Sequence, residues 1–128
     1  MTTSSSLNPS STVLEALQRP IDPRHHRSRR QGGKELTYVP WSTLVRCLLH
    51  RAPGYSWELR SVQVVGDFVA VTGRLTVPTA DGPLVYENVS SESLSANAFA
   101  PPVETAASSC LRRCCAMAGL GLELWESD

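Results

Sequence analysis

The sequence predicts an α+β fold: a three-stranded antiparallel meander, plus a short N-terminal strand, packed against a long C-terminal helix and a shorter helix. Two observations support this prediction. Three consecutive stretches in the middle of the chain are rich in Val, Leu, Thr and aromatic residues and are separated by tight turns, which is typical of strands joined by hairpins. Two other stretches repeat apolar residues at the 3.6-residue spacing of helices that bury one face.

The N-terminal residues predict a tail followed by one short helix. Residues 1–12, MTTSSSLNPSST, are mostly Ser and Thr with almost nothing apolar to bury, so we expect them to be disordered. Residues 13–128 then form one domain, since a chain of this length has no room for a second. Within that domain, Val13 and Leu17 predict a short helix that ends before Pro20.

A cationic segment follows this helix. Residues 21–33 are predicted to be a loop because they follow Pro20, include Pro23 and end in Gly32-Gly33. Residues 34–39 are predicted to be a short strand, which Leu36 and Tyr38 favour. Five cations occupy eleven successive positions here with no acid among them: Arg24, Arg27, Arg29, Arg30 and Lys34. Since the formal net charge of the whole chain is zero, this local excess predicts an anionic partner.

The first strong helix signal begins at Pro40, a residue that can open a helix at its first turn. Pro53-Gly54 ends the helix. Between these points an apolar stripe at helical spacing is predicted to be buried: Trp41, Leu44, Val45, Leu48 and Ala52.

The meander is predicted from three strands at residues 56–65, 68–77 and 84–90. Gly66-Asp67 supplies a two-residue hairpin turn, and the sequence TADG at 79–82 supplies the second turn. Alternation in the middle strand places four apolar residues on one face: Val69, Val71, Leu75 and Val77. This alternation predicts a sheet with one covered face and one more open face.

The C-terminal region predicts a loop and then the long helix. Residues 90–100 are small and polar, and we expect a flexible loop there. The helix follows Pro101-Pro102, and Gly119 and Gly121 end it. Its predicted apolar stripe consists of Val103, Ala106, Ala107, Cys110, Leu111, Cys114 and Met117.

Location and thiol chemistry are expected from the same sequence. There is no basic-then-apolar signal pattern, and no apolar run approaches the roughly 20 residues that span a bilayer, so we expect a cytoplasmic protein without a membrane partner. The four cysteines are then reduced thiols. Cys110, Cys114 and Cys115 are predicted to be small apolar core residues of the long helix; a metal site or a redox pair is the alternative.

The charges divide the chain into two halves. Residues 1–60 contain nine Lys or Arg and four Asp or Glu, whereas residues 61–128 contain three and eight. This asymmetry indicates either a polyanionic partner or neighbouring copies that meet head to tail.

No catalytic constellation is found, and we predict that the protein is not an enzyme. His25 and His26 have no carboxylate or cysteine at ligand spacing, so they are expected to be solvated or to contact phosphate. No Walker-type Gly-x-x-x-x-Gly-Lys motif occurs, and the sequence indicates no cofactor and no metal.

The candidate binding residues are therefore cationic and aromatic. Arg112-Arg113 on the long helix forms a second cluster, and Tyr38 is a candidate for stacking on a base. Each cluster taken alone could be a solvated charged face. Cations that follow a phosphate backbone, with a few aromatic rings, are what single-stranded nucleic acid binding without sequence readout requires.

The order of several short motifs resembles the Rad52-type single-strand annealing family, with which the bacterial DdrA and phage Erf-like recombination proteins are grouped. The motifs are RSRRQGGKELTYV, APGYSW and, after the meander, ETAASSCLRRCCAMAGLGLELW. The step from Gly54 to Trp57 fits the family's Gly-x-x-Trp entry into the sheet. The word Leu111-Arg112-Arg113-Cys114 and the closing Gly119 fit its long helix.

The resemblance implies an oligomeric ring or filament that holds single-stranded DNA in a basic groove and anneals complementary strands without ATP, in homologous recombination and DNA repair. Arg29 or Arg30 would match the loop arginine, Tyr38 the groove tyrosine, and Arg112 with Arg113 the basic pair of the helix. The partners implied are single-stranded DNA, further copies of the chain, and a single-strand-binding protein or an exonuclease.

Two other functions stay open at this point. A small-ligand module or enzyme would need a polar constellation in a pocket, which the sequence does not indicate. A self-assembling structural subunit would use the basic loop to dock an acidic protein partner.

Overall fold

The structure, a computed structural model, describes residues 7–95 and 101–125. Within these ranges it contains α1 (Ser10–Gln18), β1 (Arg27–Gln31), β2 (Lys34–Tyr38), α2 (Trp41–Arg51), β3 (Ser56–Val65), β4 (Phe68–Val77), β5 (Leu84–Ser93) and α3 (Pro102–Met117). One-turn 3-10 helices lie at Pro23–His25 and Leu122–Leu124. The predicted α+β fold is confirmed. None of the helices in the described ranges has the length and apolarity needed to cross a membrane.

The predicted meander is confirmed as a three-stranded antiparallel sheet in the order β3-β4-β5. The alternation of β4 has the predicted result, because Val69, Val71, Leu75 and Val77 are all buried. Helix α3 packs across β4 and β5 and touches β3 much less. The helix therefore covers two of the three strands on one face of the sheet.

Gly73 allows the closest approach within this layer. A Cβ at this position would overlap the indole of Trp57 and lie 2.9 Å from the Sγ of Cys110. The Trp57 ring lies over Gly73 and packs against a small cluster of buried residues between β4 and α3. The glycine in the middle of β4 is thus explained by the tryptophan that occupies the place of its side chain.

The main core lies where the three helices meet the far half of β4. Leu17 of α1, Leu48 of α2, Leu75 of β4 and Cys115 of α3 are fully buried, and Leu120 closes the cluster after α3. The prediction that Cys110, Cys114 and Cys115 are core residues is confirmed, since all three are free thiols and buried.

The described N-terminal residues are more structured than the sequence predicted. Helix α1 begins at Ser10, within the tail predicted over residues 1–12. The Ser10 amide donates to Asp81 (2.8 Å), and the Ala80 amide donates to the Asn8 carbonyl (2.7 Å). These bonds attach residues 8–10 to the turn before β5. Residues 1–6 lie outside the described residues, so the tail and the domain boundary stay predictions.

The prediction of a loop over residues 21–33 is wrong for its second half. Strand β1 pairs with β2 in an antiparallel hairpin, in addition to the single strand that was predicted. Gly32 and Gly33 form the turn with φ of 61° and 80°, the left-handed conformation of two-residue hairpin turns. The strand was not predicted because all its side chains are polar. Its pairing with β2 is made by backbone groups and does not require alternating apolar residues.

Three smaller corrections concern the ends of elements. Strand β5 extends to Ser93, so the predicted loop starts later, and residues 96–100 lie outside the described residues. Trp41 and Met117 are 55% and 52% exposed although both were predicted to be buried. Both lie at helix ends, where the apolar stripe runs past the core that it covers.

Candidate nucleic-acid interface

A cleft of about 250 Å³ lies where the end of β2 meets α3 and the turn that follows it. Its volume is below the roughly 300–1,000 Å³ that is usual for small-molecule sites. The residues that line it include Arg29, Tyr38, Leu44, Ser109, Arg112 and Trp125. The cleft thus combines cations and aromatic rings from both ends of the chain.

Two guanidinium groups approach the ring of Tyr38. The Cζ atoms of Arg29 and Arg112 each lie 5.4 Å from the ring centroid, within cation–π range. The Nε of Arg112 also donates to the Val39 carbonyl at 3.0 Å. Strand pairing holds Arg29 and Tyr38, and the buried face of α3 holds Arg112, so the arrangement does not depend on a long free loop.

Among the described residues, no acid neutralises the two arginines. Burial lowers the pKa of Arg112 from its usual value, the charge of Arg29 lowers it further, and Tyr38 acts in the opposite direction. Within residues 7–95 and 101–125, neither guanidinium forms an ion pair with a carboxylate. Two like charges in a half-buried cleft destabilise each other. An anion that enters the cleft would relieve this repulsion.

Some arginines elsewhere in the chain have polar partners. Arg74 pairs with Glu87 across the meander, and Arg60 pairs with Glu58 at 3.6 Å. Arg51 donates to the Arg19 carbonyl at 2.6 Å and so serves the carbonyls at the end of α1. Among the described residues, the cleft is where two arginines without a carboxylate partner meet the same aromatic ring.

The hairpin separates the candidate residues of the cationic segment. Arg29 pairs with Leu36 and Arg27 pairs with Tyr38 in the strand register, so these residues share the face that meets the cleft. Arg30 lies on the opposite face beside Glu35. Of the two arginines that the sequence left open, Arg29 is therefore the one in the cleft.

The remaining candidates lie further from the cleft. Lys34 is on the same face of the hairpin as Arg29, at the turn. Arg24 forms an exposed ion pair with Asp22, and Arg27 donates to the His26 carbonyl at 3.0 Å. No group of His, Cys, Asp or Glu in the described part of the chain is arranged to hold a metal ion.

Arg113 and Trp125 form a second arginine–aromatic pair beside the first. The guanidinium of Arg113 lies 5.5 Å from the centroid of the Trp125 ring. Trp125 is not among the binding residues predicted from the sequence. Its signal was weak, because one aromatic residue after a helix-ending Gly-x-Gly is more often a packing residue.

Comparison with known proteins gives a relative that covers almost the whole chain. The chain is 30% identical over 128 residues to the DNA repair RAD52-like protein 1, mitochondrial, of Arabidopsis thaliana. The aligned region covers 98% of this chain and 73% of the plant protein. No family model matches the chain.

Proposed function

The chain belongs to the Rad52-type annealing family, and on this premise we propose that it binds single-stranded DNA and anneals complementary strands without ATP, in recombination and DNA repair. The relative's name connects it with DNA repair. The observation that carries the proposal is the approach of Arg29 and Arg112 to Tyr38, since neither arginine has a carboxylate partner within the part of the chain that the structure describes. It is a binding and annealing function, distinct from that of an enzyme.

The mechanism follows from charge and geometry. Guanidinium groups hold phosphates through paired N–H donors, so Arg29 and Arg112 would bind the DNA backbone. Binding of this kind reads no sequence and weakens as salt rises. A backbone held in the cleft leaves base edges free for a second strand. Pairing between the strands supplies the free energy, and no nucleotide hydrolysis is required.

We further propose that the protein acts as a ring or filament of identical subunits. Strand β3 is an edge of the meander. Its residues Leu59, Val62 and Val64 lie on the face of the sheet against which α3 packs, but α3 does not cover them and they are exposed. An exposed apolar edge strand favours association with another chain. The opposite charges of the two halves of the sequence favour contact between unlike surfaces, which gives rings or filaments. The cytoplasmic location and the further protein partners stay predictions.

The first experiment is an anisotropy titration of a labelled single-stranded oligonucleotide at two salt concentrations. We compare the wild type with Arg112→Ala/Arg113→Ala, which is called the cleft variant because Arg112 lines the cleft. The control, Arg60→Ala/Arg74→Ala, removes the same charge from the meander. The cleft variant should lose affinity at least tenfold, since charged hydrogen bonds contribute about 1.5–3 kcal/mol each. Its salt slope should fall by about 0.7 for each phosphate contact that is lost.

Annealing is then measured with two labelled complementary strands, with and without ATP. Equal rates in both conditions, and a loss of rate in the cleft variant alone, would support the proposal. A folded wild type that binds no single-stranded DNA would contradict it. The alternative, a structural subunit whose basic hairpin docks an acidic protein, would then be the leading hypothesis.

A further inference from the structure

Trp125 differs from Trp57 in its exposure. It is 43% exposed, whereas Trp57 is packed over Gly73. Trp125 lines the cleft, and Arg113, which lies over its ring, does not. The indole therefore contacts the cleft and also has the guanidinium of Arg113 close to its ring.

The two rings of the cleft differ in what they can offer a ligand. The ring of Tyr38 already has two guanidinium groups near its centroid. Trp125 has one such neighbour in the described part of the chain, and the indole is the larger ring system. An exposed indole close to cationic side chains can stack on a single-stranded nucleobase while the cations bind the adjacent phosphate.

On the basis of the proposed function, we propose that Trp125 forms a base-stacking subsite: one unpaired nucleobase stacks on its indole in the cleft, while Arg113 supports the ring from outside the cleft and holds an adjacent phosphate. Within the described residues Arg113 forms no ion pair with a carboxylate, so its donors are available for that phosphate. The subsite fixes one base of the strand and reads no base edge, because every base has a stacking face.

The test separates stacking from charge by changing the DNA as well as the protein. Two single-stranded oligonucleotides of equal length and equal charge are titrated, one with bases and one abasic throughout. The variants are Trp125→Leu, which keeps an apolar side chain, and Trp125→Phe, which keeps an aromatic ring. The control is Phe68→Leu, at an aromatic residue that is 50% exposed on the face of the meander away from α3.

The wild type should bind the oligonucleotide with bases more tightly than the abasic one. Trp125→Leu should lose at least about fivefold in affinity for the former and little for the latter, and Trp125→Phe should recover part of the loss. Phe68→Leu should match the wild type on both. Equal losses on both oligonucleotides, or no loss on either, would overturn the stacking subsite while the DNA-binding function stands. A wild type that binds neither oligonucleotide would overturn the function and the subsite together.

Discussion

The two β-sheets of this protein hold their shape by different means. The meander is covered by α3, and every second residue of β4 is buried. The β1–β2 hairpin is exposed along most of its length and is held by strand pairing and a Gly-Gly turn. The cations follow the same division, because those of the meander are paired with acids, whereas Arg29 of the hairpin has no such partner among the described residues. Burial of side chains therefore stabilises the meander, whereas most side chains of the hairpin stay exposed to solvent.

The largest expected effect separates the two faces of the hairpin. Arg29→Ala should weaken single-stranded DNA binding by about tenfold or more, because a charged donor to phosphate is lost from the cleft. Arg30→Ala removes the same charge from the opposite face and should have a much smaller effect. Anisotropy titrations at one salt concentration measure both. Equal losses would mean that the whole hairpin, and not its cleft face, attracts the DNA.

The second effect is on the stability of the meander. Gly73→Ala should lower the free energy of unfolding by about 1–3 kcal/mol, because the new methyl group overlaps Trp57. Urea denaturation measures the change. Combining Gly73→Ala with Trp57→Phe makes room for the methyl group, so the double variant should cost less than the sum of the single ones. Strict additivity would show that the indole does not cause the cost.

The third effect concerns the turn of the hairpin. Gly33→Ala should cost about 1–2 kcal/mol locally, because its φ of 80° strains a residue with a Cβ. Since the hairpin lies outside the two buried clusters, the loss should appear as faster hydrogen exchange in β1 and β2 and as weaker DNA binding. Gly33→Asn is the control, since Asn tolerates this conformation better. A global loss of stability equal to the local one would show that both sheets unfold as one unit.

The smallest effect is the pH dependence that the thiols of α3 introduce. Burial raises the pKa of Cys114 to about 12, and burial also raises that of Cys115. In the unfolded state these thiols ionise near 9.0, so that state releases protons first. Stability should therefore be unaffected by them below that pH and decline above it, by an amount on the order of 1 kcal/mol for each thiol at pH 10.

Urea midpoints under reducing conditions at pH 8 and pH 10 measure this decline. The variant Cys114→Ala should show a smaller decline than the wild type. An identical decline in both would assign it to other titrating groups, such as Tyr86, whose pKa burial also raises.

Prediction from sequence succeeded where each residue's neighbours along the chain determine its environment. The strands of the meander and the long helix were found because Leu75 and Val77 alternate with polar residues, and because Cys110 and Cys114 repeat at helical spacing. It failed for β1, where a polar strand is determined by its partner strand. It also misplaced Trp41, because spacing along a helix does not show where the core ends.

The α+β fold, the order of the elements other than β1 and the residue types of the candidate site could be read from the sequence, since periodicity and turn residues act over short distances. Only the tertiary structure brought Arg29 of the hairpin and Arg112 of α3 to the same tyrosine ring, and only it separated Arg29 from Arg30. It also decided that Trp57 is packed and Trp125 is half exposed. These outcomes depend on the packing of distant elements, which local pattern does not contain.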